Sequence, residues 1–265
     1  MKNKIFLLII IIVIVAGAIV YANKKCTCLV CNCNQNVTGN SVEMFVVPIS
    51  ESDNFFRINV EYPQFKNVDP AFNQKISNLI TEEINNFKKN SKDNWEARKA
   101  TATPDNPVPE NPEEPFDFIA TWTPTQLNNK YLSFVINIYY FTGGAHGVNE
   151  IYAFNYDLNM KKEISMLDFL NSSQDSLNKV AELSAQNITS QLQSNGMQAN
   201  DIIKQMIQQG TMPTNENFQN FNFTYNSLII YFQQYQVAPG SVGSITITLY
   251  KDILDSNSIK SDYLK

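Results

Sequence analysis

The sequence predicts an α+β protein: two small subdomains with mainly antiparallel sheets, packed by long amphipathic helices, after an N-terminal transmembrane helix. Three observations carry this expectation. Apolar residues recur at helical spacing in two long stretches, 72–87 and 177–192, while aromatic and β-branched residues alternate in several short runs bounded by Pro, Gly and Asn. Those helices and strands come in blocks and not in strict alternation, a pattern that favours antiparallel pairing. Finally, an apolar run opens the chain.

After Met1-Lys2-Asn3-Lys4, residues 5–22 carry no charge and are mostly Ile, Leu, Val and Ala. As a helix this run spans about 27 Å, close to the hydrocarbon thickness and longer than a signal-peptide core. An uncleaved signal anchor over 1–22 is the first reading. A cleaved signal peptide is the second, because Val20-Tyr21-Ala22 offers residues that a signal peptidase accepts. Lys2 and Lys4 favour a cytoplasmic N-terminus, with Lys24 and Lys25 on the far side blunting the asymmetry. The expectation is therefore a single-pass cell-membrane protein whose C-terminal domain lies outside the cytoplasm.

Residues 23–41 read as a juxtamembrane tether, Asn-rich toward its end. It holds every cysteine of the chain: Cys26, Cys28, Cys31 and Cys33. They are weak metal candidates, because a zinc site built from such a cluster wants a second half and no distant Cys or paired His supplies one. Disulfides within the cluster or between chains suit an oxidising compartment, and a spacer without a role is the plain alternative. Lys25 before Cys26 argues against a lipoprotein.

The first subdomain is expected over 42–124. Runs 45–48 and 55–62 read as strands, and Pro63 ends the second. Asp69 is the N-cap and Pro70 the first residue of a helix reaching about Lys89, with Phe72, Ile76, Leu79, Ile80, Ile84 and Phe87 on its apolar face. The segment 103–115 carries prolines at 104, 107, 109, 112 and 115, and is a linker or a long loop. A strand follows over 116–123. The second subdomain, 125–265, should hold strands at 131–141 and 149–158, a helix over 173–194 closed by Gly196, and a short helix over 200–209. Strands at 221–225, 228–234 and 244–250 complete it.

Charged residues make up 17% of the chain and the formal charge is −5, so nucleic acid is excluded as a partner for want of a basic face. Asn and Gln are abundant, and Arg occurs only at Arg57 and Arg98. The polar surface is largely uncharged amide. The sequons at Asn36, Asn187 and Asn222 are what chance supplies in such a chain.

Candidate ligand-binding positions fall in two loops. One is Gly143-Gly144-Ala145-His146-Gly147, containing the only histidine, between two strands; the other is Ala238-Pro239-Gly240 ahead of the last strand. Catalysis by His146 would need an orienting partner, and Thr142, Glu150 and Asp157 stand near it in sequence. A plain structural role, with glycines shaping a turn that His146 braces, competes with partner binding. Aromatics in the strands are core or sheet-face packing, with a sugar-stacking surface as the functional alternative. No cofactor is expected.

The order of Phe141-Thr142-Gly143-Gly144-Ala145-His146-Gly147, Ser165-Met166-Leu167-Asp168-Phe169-Leu170 and Tyr231-Phe232-Gln233-Gln234-Tyr235-Gln236-Val237-Ala238-Pro239-Gly240 resembles the PdaC/RsiV-like superfamily, over about 42–254. The resemblance implies an extracytoplasmic α+β unit of the bacterial envelope, as in lysozyme-binding anti-sigma factors and ahead of a peptidoglycan deacetylase domain. A departure from both types is expected, with a four-residue stub in place of a sigma-binding segment and no deacetylase domain after Lys265, and with Gly240-Ser241-Val242-Gly243 in place of a tyrosine-bearing loop. The expectation is a membrane-anchored binding or sensing module without catalytic activity, its ligand a lysozyme-like protein or a wall glycan. The alternative is a cell-wall hydrolase or deacylase using His146 with an acidic neighbour. The oligomeric state stays open.

Overall fold

The computed structural model describes residues 43–143, 146–197 and 200–264. The expected transmembrane helix, the tether with its four cysteines, and Gly144 and Ala145 of the glycine-rich loop lie outside these residues. No described helix is long and apolar enough to cross a membrane.

Six strands form the first sheet in sequence order: β1 (Met44–Ser52), β2 (Phe56–Phe65), β3 (Phe116–Leu127), β4 (Tyr131–Tyr140), β5 (Val148–Asp157) and β6 (Lys162–Glu163). Pairing is antiparallel except between β2 and β3, which run parallel. A parallel pair needs a crossover. Helix α1 (Pro70–Ala100) and the proline-rich segment supply it. The proline-rich stretch is thus a loop inside one sheet and not an interdomain linker, with Val108 packed on the core and the Glu110 carbonyl accepting the Trp95 indole N–H at 3.1 Å.

α1 starts as the sequence predicts, Asp69 accepting the Ala71 amide at 2.9 Å with Pro70 behind it. It runs eleven residues past the expected end at Lys89, to Ala100. The buried stripe continues through Ser91 to Trp95, whose ring meets Phe55 and Phe116 edge-on. One serine and one tryptophan among Lys, Asn and Asp give little apolar periodicity, so only packing reveals this extension. Against α1 the sheet presents Ile58, Phe118, Phe134, Ile136 and Phe154, with Phe134 and Phe154 stacked as a cross-strand pair 5.2 Å apart.

The second core is built by α2 (Met166–Phe169), α3 (Gln174–Ser194), α4 (Asp201–Gly210), the antiparallel sheet β7 (Phe221–Phe223), β8 (Ser227–Phe232), β9 (Ile245–Tyr250), and α5 (Lys251–Ser256). Side chains cap the first three of these helices: Ser165 and Asp168 form a reciprocal box on α2, Ser173 caps α3, and Asn200 caps α4. Gly196, at φ +79°, ends α3 as expected. The described residues lie in one compact unit holding both cores. The anticipated boundary at 124/125 falls inside β3, and the two cores divide between Leu158 and Ile164 instead.

β7 joins the cores by contacting β3, β4 and β5 on the sheet face away from α1. Alternation puts Leu132, Phe134 and Ile136 toward α1, which leaves Ser133 and Asn155 facing β7. Ser133 Oγ donates to Asn155 Oδ1 at 2.7 Å, Asn155 Nδ2 donates to the Phe221 carbonyl at 2.6 Å, and the Phe223 amide donates to Ser133 Oγ at 3.2 Å. Asn222, wholly buried, reaches back to the Phe134 carbonyl at 3.0 Å, the Phe154 carbonyl at 3.3 Å and Asn155 Oδ1 at 3.2 Å. Its sequon therefore cannot carry a glycan in the folded protein. Because truncation strands several buried acceptors at once, Asn222→Ala should cost about 2–4 kcal/mol, read as a lowered urea midpoint; a loss under about 0.5 kcal/mol would mean the sheets are joined by apolar packing alone.

Candidate functional site

The glycine-rich connection closes the β4–β5 hairpin, where Tyr140 pairs with Val148, as its sequence predicts. Phe141 packs on the first core beside Phe116, and Thr142 accepts from Asn94 of α1 at both its carbonyl (3.3 Å) and its hydroxyl (3.2 Å). A Cβ at Gly147 would lie 2.3 Å from the Tyr139 ring, and one at Gly143, where φ is +81°, would press on Phe116. Gly143 is held to glycine by its positive φ, and a side chain at Gly147 would have to push the Tyr139 ring aside. His146 is exposed, its Nδ1 3.0 Å from the Gly147 carbonyl oxygen. Glu150, the nearest acidic candidate in sequence, hydrogen-bonds instead to Tyr140 and Tyr152.

The second motif, 231–240, is a clamp. Gln233 lays its amide along the edge of β5, accepting the Ile151 amide at 3.0 Å and donating to the Ile151 carbonyl. Gln236 accepts the Gln233 amide and donates to the Gly210 and Asn217 carbonyls at 3.1 and 3.0 Å. The approach to α4 is so close that a Cβ on Gly210 would sit 2.2 Å from the Gln236 carbonyl oxygen. Ala238 is core, while Pro239 and Gly240 are half-buried, the Tyr235 ring lying over Gly240. No described contact brings this turn to His146.

A cleft of about 850 Å³ opens elsewhere, along the edge of β5. One wall is the N-terminal half of α1, with Gln74, Asn78 and Glu82; the other is Asn215, Gln219 and Asn220. Phe154 and the Tyr152 ring line it between, and Ile164 to Met166 close one end. Its lysine is matched, Lys75 pairing with Glu163, and Lys162 pairs with Asp168 nearby at 2.8 Å. That ion pair and hydrogen bonds from Ser165 hold the Asp168 carboxyl low although its burial raises it. Ser165 Oγ takes part in the α2 box, donating to the Asp168 carboxylate at 2.7 Å and accepting the Asp168 amide at 3.1 Å. Among the described residues no group of three or more His, Cys, Asp or Glu could hold a metal ion. What the cleft offers is hydrogen bonding. Neither predicted loop lines it, and of its amides, scattered from 74 to 233, only Gln233 stands in a motif the sequence singled out; the amide-rich composition alone hinted at the others.

Beside the cleft, Tyr152 Oη lies 2.8 Å from Glu83 of α1 and 2.6 Å from Glu150, which also accepts from Tyr140 at 3.0 Å. One phenol proton cannot serve two carboxylates. Burial, with Glu150 and Glu82 adding to it, raises the Glu83 carboxyl against the hydrogen bond from Tyr152, so Glu83 takes up a proton more readily than a solvated glutamate does. Burial and the carboxylates push both tyrosines far above the usual phenol range. With the folded-state pKa of Glu83 above the unfolded value of about 4.3, its contribution to stability is complete below that value and is lost as pH rises through the raised one. Glu83→Gln should therefore gain on the parent as pH rises through that window; a parent–variant difference that stays constant from about pH 4 to 8 in urea titrations would place no proton there.

Known proteins divide the chain along the same lines as the two cores. The family model described as Deacetylase PdaC matches residues 49–149, and that of a protein of unknown function, DUF3298, matches 168–252. The peptidoglycan-N-acetylmuramic acid deacetylase PdaC of Bacillus subtilis is 26% identical over 218 residues, covering 79% of this chain; the chain spans 40% of that relative's length. Crystal structures of DUF3298 family members share the fold at 16% identity: one from Bacteroides fragilis has a TM-score of 0.56 over 82% of this chain and 93% of its own. Another, from Pseudomonas aeruginosa PAO1, has 0.51 over 84% and 95%. With a PdaC-type match over the first core followed by a DUF3298-type match over the second, the comparisons support a PdaC/DUF3298-like superfamily for this chain.

Proposed function

We propose that this protein is an extracytoplasmic binding module of the bacterial cell envelope, anchored by its N-terminal apolar segment, which takes a cell-wall ligand without transforming it. The observation that carries the reading is the amide-lined cleft: it supplies many hydrogen-bonding groups, and its Ser165 hydroxyl is tied into the α2 cap, donating to the Asp168 carboxylate and accepting the Asp168 amide. The uncharged run at 5–22 behind Lys2 and Lys4 supports export and anchoring. Likeness to a wall deacetylase supports the compartment and the ligand's origin. A hydrolase built on His146 and Glu150 is disfavoured, because Glu150 would first have to release Tyr140 and Tyr152.

A lysozyme-like protein is the other ligand class, and the exposed Gly143 and His146, with the 238–240 turn, are the loops that would meet it. The test is co-sedimentation of the full chain, solubilised in detergent, with purified peptidoglycan sacculi, beside retention on immobilised lysozyme. Saturable sedimentation without release of acetate or soluble sugar is the expected result, unchanged in His146→Ala. Retention by lysozyme alone, lost in His146→Ala, would move the ligand class to a protein. Binding to neither would sink the reading.

A further inference from the structure

We infer that the cleft between α1 and the 215–220 segment is a subsite for a neutral oligosaccharide. This rests on the proposed wall-binding role and names the chemistry of its site. The cleft's volume, about 850 Å³, is within the range of small-ligand sites and holds a few sugar rings. Its polar lining consists chiefly of carboxamides, each carrying both a donor and an acceptor, which matches hydroxyl and amide substituents on a sugar.

Three observations point to a ligand, and to an uncharged one. Asn215 Oδ1 is buried with no hydrogen-bond partner although it stands in the cleft wall. A buried acceptor left unmatched is costly, and a turn of the Asn215 side chain toward the opening would offer it to an O–H or N–H donor from a bound sugar. Gln219, exposed on the same wall, makes no hydrogen bond to any described residue, and Asn78 opposite uses only its oxygen, accepting from Gln74 at 2.6 Å. Unspent donors and acceptors therefore face each other across the opening. Meanwhile Lys75 is neutralised by Glu163 across the cleft, so a phosphate or a carboxylate finds no free cation there. Leu79, Phe154 and the Tyr152 ring give the C–H faces of a pyranose something apolar to lie on.

The site is stiff where it matters. Asn220 accepts the Ala153 amide at 3.2 Å and Gln233 clamps Ile151, so the β5 edge beneath the ligand is held by side chains that themselves line the cleft. Ordering cost on binding is low in such a preformed pocket.

Titration calorimetry of the full chain in a detergent without a sugar headgroup tests this, with chitotetraose and cellotetraose as neutral probes and a chitosan tetramer as the cationic one. At least one neutral tetramer should bind, and the exposed double variant Asn78→Ala/Gln219→Ala should weaken it at least about tenfold, while Gln186→Ala, on α3 away from the cleft, leaves it unchanged. Binding that survives the double variant, or that favours the chitosan tetramer, overturns the inference. If neither neutral probe binds while sacculi still sediment the protein, this subsite falls and the wall-binding reading stands; if sacculi fail as well, both fall.

Discussion

Everything beyond the first sheet hangs on a small buried set of uncharged polar groups. Ser133 and Asn155 form a cross-strand pair on β4 and β5, and Asn222 with the backbone of β7 closes the network over them. In an apolar interior these groups can be satisfied only by one another, so the network tolerates one relative placement of the two sheets and penalises slippage in any direction. Apolar packing alone would hold the cores together without choosing the register. The clamp of Gln233 on Ile151 and the bond from Ala153 to Asn220 repeat the same device along the exposed edge of β5. Side-chain amides thus take the place of a missing neighbouring strand, and they blunt an edge that could otherwise recruit one.

The same device creates the cleft. Since amides and not a seventh strand cover β5 beyond β6, a gap is left between α1 and the 215–220 segment, floored by strand residues and walled by groups with hydrogen-bonding capacity to spare. Stability and ligand recognition share residues here: Asn220 and Gln233 line the opening and also hold the strand beneath it. Next to it, Tyr152 ties α1 to β5 by reaching both Glu83 and Glu150, so the wall contributed by α1 is sensitive to the protonation of one half-buried carboxyl whose pKa burial raises.

The motifs that stand out in the primary structure turn out to shape the fold. Gly143 takes a positive φ, Gly147 and Gly210 are sites where an aromatic ring or a carbonyl comes too near for a Cβ, and Gln236 bridges three backbone groups from different elements. Conspicuous sequence marks unusual backbone geometry. Groups that meet a ligand need only be exposed and correctly placed, and ordinary Asn and Gln on regular elements serve for that, without any local signature.

Local chemistry was therefore legible in the chain itself: the strand alternation, the capped start of α1 at Asp69, the ends of α3 and α4, the glycine-rich hairpin and the α+β class all follow from spacing, capping and turn residues that act within a few positions. Three things were settled only by tertiary structure. Parallel pairing of β2 with β3 joins strands some fifty residues apart, and no local pattern encodes which distant edge a strand will choose. The last eleven residues of α1 are held by Trp95 against Phe55 and Phe116, a contact made across the sheet. The cleft gathers residues from five separate segments, because hydrogen bonding and burial act through space while sequence motifs record only what neighbours along the chain require.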